Sequence, residues 1–425
     1  MARAALAHYL LFSVFFFASQ AVAYEWLPEF GSLTEAEQSE FEGPGRFSSE
    51  YPADILSYLK PADWEYLWLL HPRALDLVIG STGSAHFQID QRVKIHAPLT
   101  DHLDFRFTYF ESSDREKISE HTILELVFWP WKRFGISFYG EPEHFKRGND
   151  TGIALLLRPS ELHEIRLFNT FIDVTRLKRS DTPDNFVDPY LPYARGMVGR
   201  LWSDAGEGKT EFFEYAFRYE TKTRWNFPLD FYDYEYWKWF GSLFGQKSVA
   251  KAVDMNFRLQ MDRKFESREP YSEESDQLFA SWRTDRIKAL VRAEFREFGP
   301  EGRWQFTPGL EFSKRVWTME SGEVQYRDLI PHMTLRLPGF GAGDREDFWD
   351  VGFVANWHRV FRAGAMPGED SSSDSDGLVE MKLNLSYGFN FGSSSKLILI
   401  ATGDLNKFFT RRSWDGGSAQ FQLFF

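Results

Sequence analysis

The chain has 425 residues, no cysteine and a formal net charge of −13, with 18% aromatic residues. Without cysteine there is neither a disulfide framework nor a thiolate metal site. The acidic balance disfavours nucleic acid as a partner.

Residues 1–23 read as a secretory signal peptide. Arg3 supplies the charge, Tyr9–Phe17 the short apolar run, and Ala21-Val22-Ala23 the small-x-small cleavage pattern. The apolar run is shorter than the roughly 20 residues a spanning helix needs. The expected mature chain therefore begins at Tyr24.

Residues 24–72 form an acidic N-terminal segment, and within Tyr24–Glu50 the acids Glu25, Glu29, Glu35, Glu37, Glu40, Glu42 and Glu50 are set against a single Arg46. Asp54–Leu70 reads as short helices split at Pro61. Leu67-Trp68-Leu69-Leu70 must be buried somewhere, either at a periplasmic mouth or as a plug in a lumen.

From Arg73 the apolar period becomes two, the signature of strands with one apolar and one polar face. Residues 73–425 read as eighteen strands, or sixteen if weak neighbours such as 275–284 and 286–298 merge. The stretch 249–264 shows the pattern best. Val253, Met255, Phe257, Leu259 and Met261 face one way, and Asp254, Asn256, Arg258, Gln260 and Asp262 the other. Connections are short and rich in turn formers on one side, as in Pro130-Trp131-Lys132 and Pro159-Ser160-Glu161, and long on the other. High aromatic content, no long apolar run and this asymmetry fit an all-β, antiparallel transmembrane β-barrel better than a soluble sandwich.

The polar face carries both signs. In 286–298 a basic ladder, Arg286, Lys288, Arg292 and Arg296 with Glu294, points one way, and Arg258 joins it as a candidate pore-lining residue. Two readings stay open. The ladder attracts anions along a pore, or its members pair with acids on neighbouring strands.

Arg224–Ser248 reads as the longest loop, with Trp225, Tyr234, Tyr236, Trp237 and Trp239 among its ten aromatics and Asp230, Asp233 and Glu235 interleaved. Three uses fit: packing at the rim, folding inward as a constriction, or gripping sugar rings between aromatic faces and carboxylates. Gly364–Gly377 reads as an acidic outer loop whose spacing lacks a calcium pattern. No metal site, no cofactor motif and no hydrolase or phosphate-loop signature is present.

The last strand alternates Ala419, Phe421, Leu423 and Phe425 against Gln420 and Gln422. This ten-residue pattern resembles the closing strand of Gram-negative outer-membrane β-barrels, where an alternating strand ending in Phe is the signal read by the insertion machinery. The resemblance implies the cell outer membrane as location, and the membrane lipid and the barrel-assembly machinery as partners. The function expected is a porin-like channel for small hydrophilic solutes or saccharides. The alternatives are a non-conducting barrel acting in assembly, polysaccharide export or adhesion, and, more remotely, an outer-membrane hydrolase.

Overall fold

The computed structural model describes residues 73–82, 88–113, 118–141, 150–160, 163–171, 193–206, 209–227, 232–270, 280–299, 303–319, 322–340, 346–364, 378–391, 395–407 and 414–424. The expected leader, the acidic N-terminal segment, residues 365–377 and Phe425 lie outside them.

Eighteen strands follow one another. The first half comprises β1 (Arg73–Thr82), β2 (Gln88–Thr100), β3 (Leu103–Ser113), β4 (Ile118–Trp131), β5 (Phe134–Glu141), β6 (Asp150–Ser160), β7 (His163–Phe171), β8 (Tyr193–Gly206) and β9 (Lys209–Phe227). The second comprises β10 (Tyr232–Ala250), β11 (Val253–Pro270), β12 (Ala280–Phe298), β13 (Trp304–Met319), β14 (Gly322–Pro338), β15 (Phe348–Gly364), β16 (Leu378–Asn390), β17 (Ser395–Asp404) and β18 (Trp414–Phe424). Each pairs antiparallel with its sequence neighbour, and β1 closes the ring on β18. At the closure Leu75 lies opposite Leu423, Leu77 opposite Phe421 and Ile79 opposite Ala419. The two described members of the expected insertion signal, Phe421 and Leu423, thus sit on the outward face of the seam.

Burial runs opposite to that of a water-soluble protein. Phe138, facing out, is 61% exposed, while its neighbour Ser137, facing in, is fully buried. Leu124, Leu126 and Phe128 are exposed on β4, and Glu125 between them is buried. Such a continuous apolar outer surface has a stable environment only in hydrocarbon. The molecule is a transmembrane β-barrel of the outer membrane.

The belt can be measured on β15. Trp349 and Trp357 bracket nine outward-and-inward positions, which matches the roughly 9–11 residues a tilted strand needs to cross. Indole rings at both ends are the expected interfacial girdle. The turns Asp101-His102, Lys132-Arg133 and Lys251-Ala252 lie on one rim. The strand ends that flank the longer intervals 172–192 and 365–377 lie on the other, so the first rim is periplasmic. At the periplasmic end of β12 the register with β13 shifts between Phe295 and Phe298, and Glu297 takes φ 55°. The strand leaves its partner there through a bulge.

Strand length divides the barrel. β9, β10 and β12 each have 19 residues, whereas β5 has 8 and β7 has 9. The long strands therefore carry a wall of paired sheet beyond the belt on the outer side.

Two expectations are corrected here. Arg224–Ser248 is not a loop: it is the end of β9, a four-residue interval and nearly all of β10, with Tyr234 opposite Trp225 and Phe240 opposite Arg218. The expected strands 275–284 and 286–298 are one strand, β12, continuous through Asp285. The count of eighteen came out right because one missed strand and one split strand offset each other.

Candidate functional site

The inner wall is the surface that a solute crossing the barrel would meet. Its side chains come from one parity on each strand, and they divide into two sectors.

The first sector, β4 to β9, is densely packed. Small residues let large inward rings lie flat on the wall. The Trp129 ring covers Gly135, and the Tyr139 ring covers Gly152, so that a Cβ at either glycine would strike the ring. A guanidinium then lies over each ring, Arg158 at 3.8 Å from the Trp129 centroid and Arg166 at 5.0 Å from that of Tyr139. Such cation–π contacts fix the cation inside the lumen. A carboxylate completes each stack. Arg158 Nη2 lies 2.9 Å from Glu164, and Arg166 donates to Glu125, which also accepts from Ser137 Oγ. Tyr139 Oη and Thr170 Oγ1 are hydrogen-bonded at 2.8 Å. The same three layers recur near the periplasmic end of β14 to β16. There Phe348 covers Gly388, Arg336 lies 3.9 Å above Phe348, and Asp350 holds Arg336 through bonds of 2.8 and 2.9 Å. Ile123, Val127, Leu156, Phe168 and Val198 fill the space between the β4–β9 stacks.

The second sector, β10 to β14, holds the predicted pore-lining residues, and all six point inward. Arg286 lies 3.9 Å from Asp262, and Lys288 3.1 Å from Glu311. Arg296 contacts both Glu294, at 2.6 Å, and Asp254. Arg292 donates to His332 Nε2 at 3.1 Å, and Arg258 lies 4.9 Å over the Phe244 ring. Arg286, Lys288 and Arg296 are therefore paired with acids, while Arg292 is bonded to His332 and Arg258 lies over a ring. The pairing is lopsided in exposure, however. The Lys288 side chain is 41% exposed and that of Glu311 2%, while Arg296 is 37% exposed and Asp254 1%. Cations reach the lumen, and their carboxylates lie behind them in the wall. The charges nearly cancel in number, but the exposed face is positive.

The proposed constriction residues separate. Tyr236 points inward and is buried, with Lys264 Nζ 5.3 Å from its ring centroid. Lys264 in turn lies 3.0 Å from Glu266, which accepts from Trp282 Nε1 at 2.9 Å. Trp237 points outward and stacks on Phe265 at 4.2 Å, and Trp239 lies opposite Arg263 on the same outward face. Trp225 and Tyr234 are register partners in the β9–β10 pair. These five residues form no inward-folded loop, because backbone pairing holds them in the wall, on both sides along β10, which carries four of them, and with β10 alone for Trp225.

Sequence reasoning missed Glu311, Glu266 and Arg158 as wall charges. Glu311 was legible, since it falls in phase on an alternating strand. Glu266 lay beyond the predicted end of its strand. Among the described residues no group of three or more His, Asp or Glu is placed to hold a metal ion.

No family model and no curated protein matches the chain. Solved structures are similar in fold. One is OccK11 (OpdR) of Pseudomonas aeruginosa, with a TM-score of 0.36 and 10% identity over 83% of this chain and 95% of that one. Another is OpdL of Pseudomonas aeruginosa, with a TM-score of 0.36 and 10% identity over 84% of this chain and 98% of that one. A third is a bacterial polysaccharide outer membrane secretin, with a TM-score of 0.32 and 10% identity over 84% of this chain and 99% of that one.

Proposed function

We propose that the protein is an outer-membrane channel for small hydrophilic solutes or saccharides, with a preference for anionic ones. One observation carries this reading: on β11 to β13, the lumen-exposed Lys288 and Arg296 stand in front of the buried carboxylates of Glu311 and Asp254. A row of cations at a pore wall draws anions and repels cations. Among the described residues the wall is otherwise built of fixed hydrogen-bonding and charged groups, which supports transport as the reading. The test is planar-bilayer recording of the purified protein in a potassium chloride gradient. A reversal potential of the sign set by chloride permeation is expected, and a cation-selective or unselective pore would sink the anion preference.

A second reading, a barrel that does not conduct, has its own support in the β4–β9 sector. Leu156, Val127 and Glu220 face inward yet are essentially inaccessible, which narrows the space on that side. Absence of conductance in the full chain, and its appearance after removal of residues 24–72, would favour a plugged barrel.

A further inference from the structure

Cross-strand register sorts the outward face of the tall wall into rows. One row runs Leu259, Ala289, Phe312, Leu329 and Trp357 from β11 to β15. It is wholly apolar. The next row toward the outer rim runs Met261, Ile287, Lys314, Arg327 and Arg359. Lys314 is directly opposite Arg327, and Arg327 directly opposite Arg359.

Three like charges on adjacent strands, with Cβ atoms about 5 Å apart, repel one another. The row contains no carboxylate. Arg327 donates to Gln325 at 2.7 Å and lies 4.4 Å over the Phe361 ring, and neither contact neutralises it. In the two rows above, Asp285 is shared between Arg263 and Arg283, and Glu323 accepts from Gln325. A groove of about 470 Å³ opens on this face, bordered by Met261, Arg263, Arg283, Ile287 and Lys314. The patch thus holds five cations against two carboxylates, in a chain of net charge −13.

Its height completes the argument. Arg359 is the first outward position beyond Trp357, which marks the outer end of the belt on β15, and Arg327 and Lys314 are its register neighbours on the next two strands, each stepping slightly toward the belt with the strand tilt. That is the level of lipid phosphates. Elsewhere the outward face differs. Phe138, Ile153 and Leu167 are exposed on β5 to β7, and the outward Arg195 of β8 donates to Asn169 at 2.8 Å.

We propose that this face is a binding site for an anionic phosphoglycolipid of the outer leaflet. Lys314, Arg327 and Arg359 hold its phosphates, and its acyl chains run down over Phe312, Leu329 and Trp357. The bound phosphate relieves the repulsion along the row. This site is separate from the channel reading and stands or falls without it.

The test uses the full chain refolded in zwitterionic detergent and incubated with lipid A carrying two phosphates. Retained lipid is counted by mass spectrometry after detergent exchange. The wild type is expected to retain the lipid. The triple variant Lys314→Gln, Arg327→Gln, Arg359→Gln should bind about tenfold more weakly or worse, since each cation near a lipid surface contributes appreciably. Dephosphorylated lipid A should be lost from both, and inorganic pyrophosphate at equal concentration should not displace the lipid. Equal retention by wild type and variant, equal retention of the dephosphorylated lipid, or ready displacement by pyrophosphate would each overturn the proposal. If the triple variant does not show the heat-modifiable migration of a folded barrel, Arg359→Gln alone, at an exposed position, takes its place, with a several-fold loss expected.

Discussion

Lys288 and Glu311 face each other across the β12–β13 pair at 3.1 Å, and only the lysine reaches the lumen. A carboxylate set behind its cation neutralises the pair without presenting negative charge to a passing solute. Arg296 and Asp254 repeat the arrangement.

Replacing Arg286, Lys288 and Arg296 together by Gln should therefore move the reversal potential toward the cation side, at a cost in stability because Glu311 and Asp254 lose their partners. The buried acids Glu311 and Asp254 then become the dominant fixed charges of that sector. Bilayer recording in a salt gradient measures the shift, and an unchanged potential would show that solutes pass elsewhere.

Arg166 and Glu125 behave differently, since both are buried. Arg166→Met leaves the Glu125 carboxylate with the more distant Arg106, at 3.8 Å. Removing one partner of a buried pair costs on the order of 3 kcal/mol. The double change Arg166→Met with Glu125→Leu should recover most of that loss, because no charge is left stranded. Urea titrations of refolded barrels in detergent read both values, and a double variant as unstable as the single would refute the assignment.

On β11 the two faces can be compared within one dipeptide. Phe257 lies opposite Val291 on the lipid side, and Arg258 lies over Phe244 inside. Phe257→Arg should cost about 2–4 kcal/mol, the range for a basic residue at mid-bilayer. Arg258→Gln should cost under about 1 kcal/mol, as a polar replacement on a solvated face. The same denaturant titration tests the difference, and equal costs would mean that the faces are reversed.

Deleting Asp230–Phe244 is expected to prevent folding. The segment is most of β10, which is paired with β9 on one side and β11 on the other, and its loss would leave the outer halves of both neighbours unpaired and only residues 245–250 to close the wall at the belt. Loss of heat-modifiable migration in gel electrophoresis is the outcome expected. A deletion that still folded would show that β9 and β11 can pair directly.

Much of this architecture was legible because hydrocarbon on one side and water on the other impose a period of two. Strands such as 249–264 and 378–391 cross the belt with that contrast intact. The pattern fails where strands rise out of the membrane. In β10, Tyr236 and Phe240 face inward while Trp237 and Trp239 face outward, so aromatics occupy both faces and no period shows. In β12, Trp282, Thr284 and Arg286 face inward while Arg283 and Asp285 face outward, so charge on both faces reads as a turn. One physical cause, a strand longer than the bilayer is thick, produced both errors. The ladder residues were placed on the correct face, but the relation that matters there, an exposed cation before a buried acid, depends on side-chain depth. Period carries no information about depth.

The stacks of glycine, ring and guanidinium have a bearing on how the barrel can change over time. Gly152 can gain a side chain only if Tyr139 becomes smaller, and a smaller residue there removes the platform beneath Arg166. The three positions lie on three successive strands, yet they are free to vary only together. In a collection of divergent sequences of this protein, Gly152, Tyr139 and Arg166 would be inherited or replaced as a set, as would Gly135, Trp129 and Arg158.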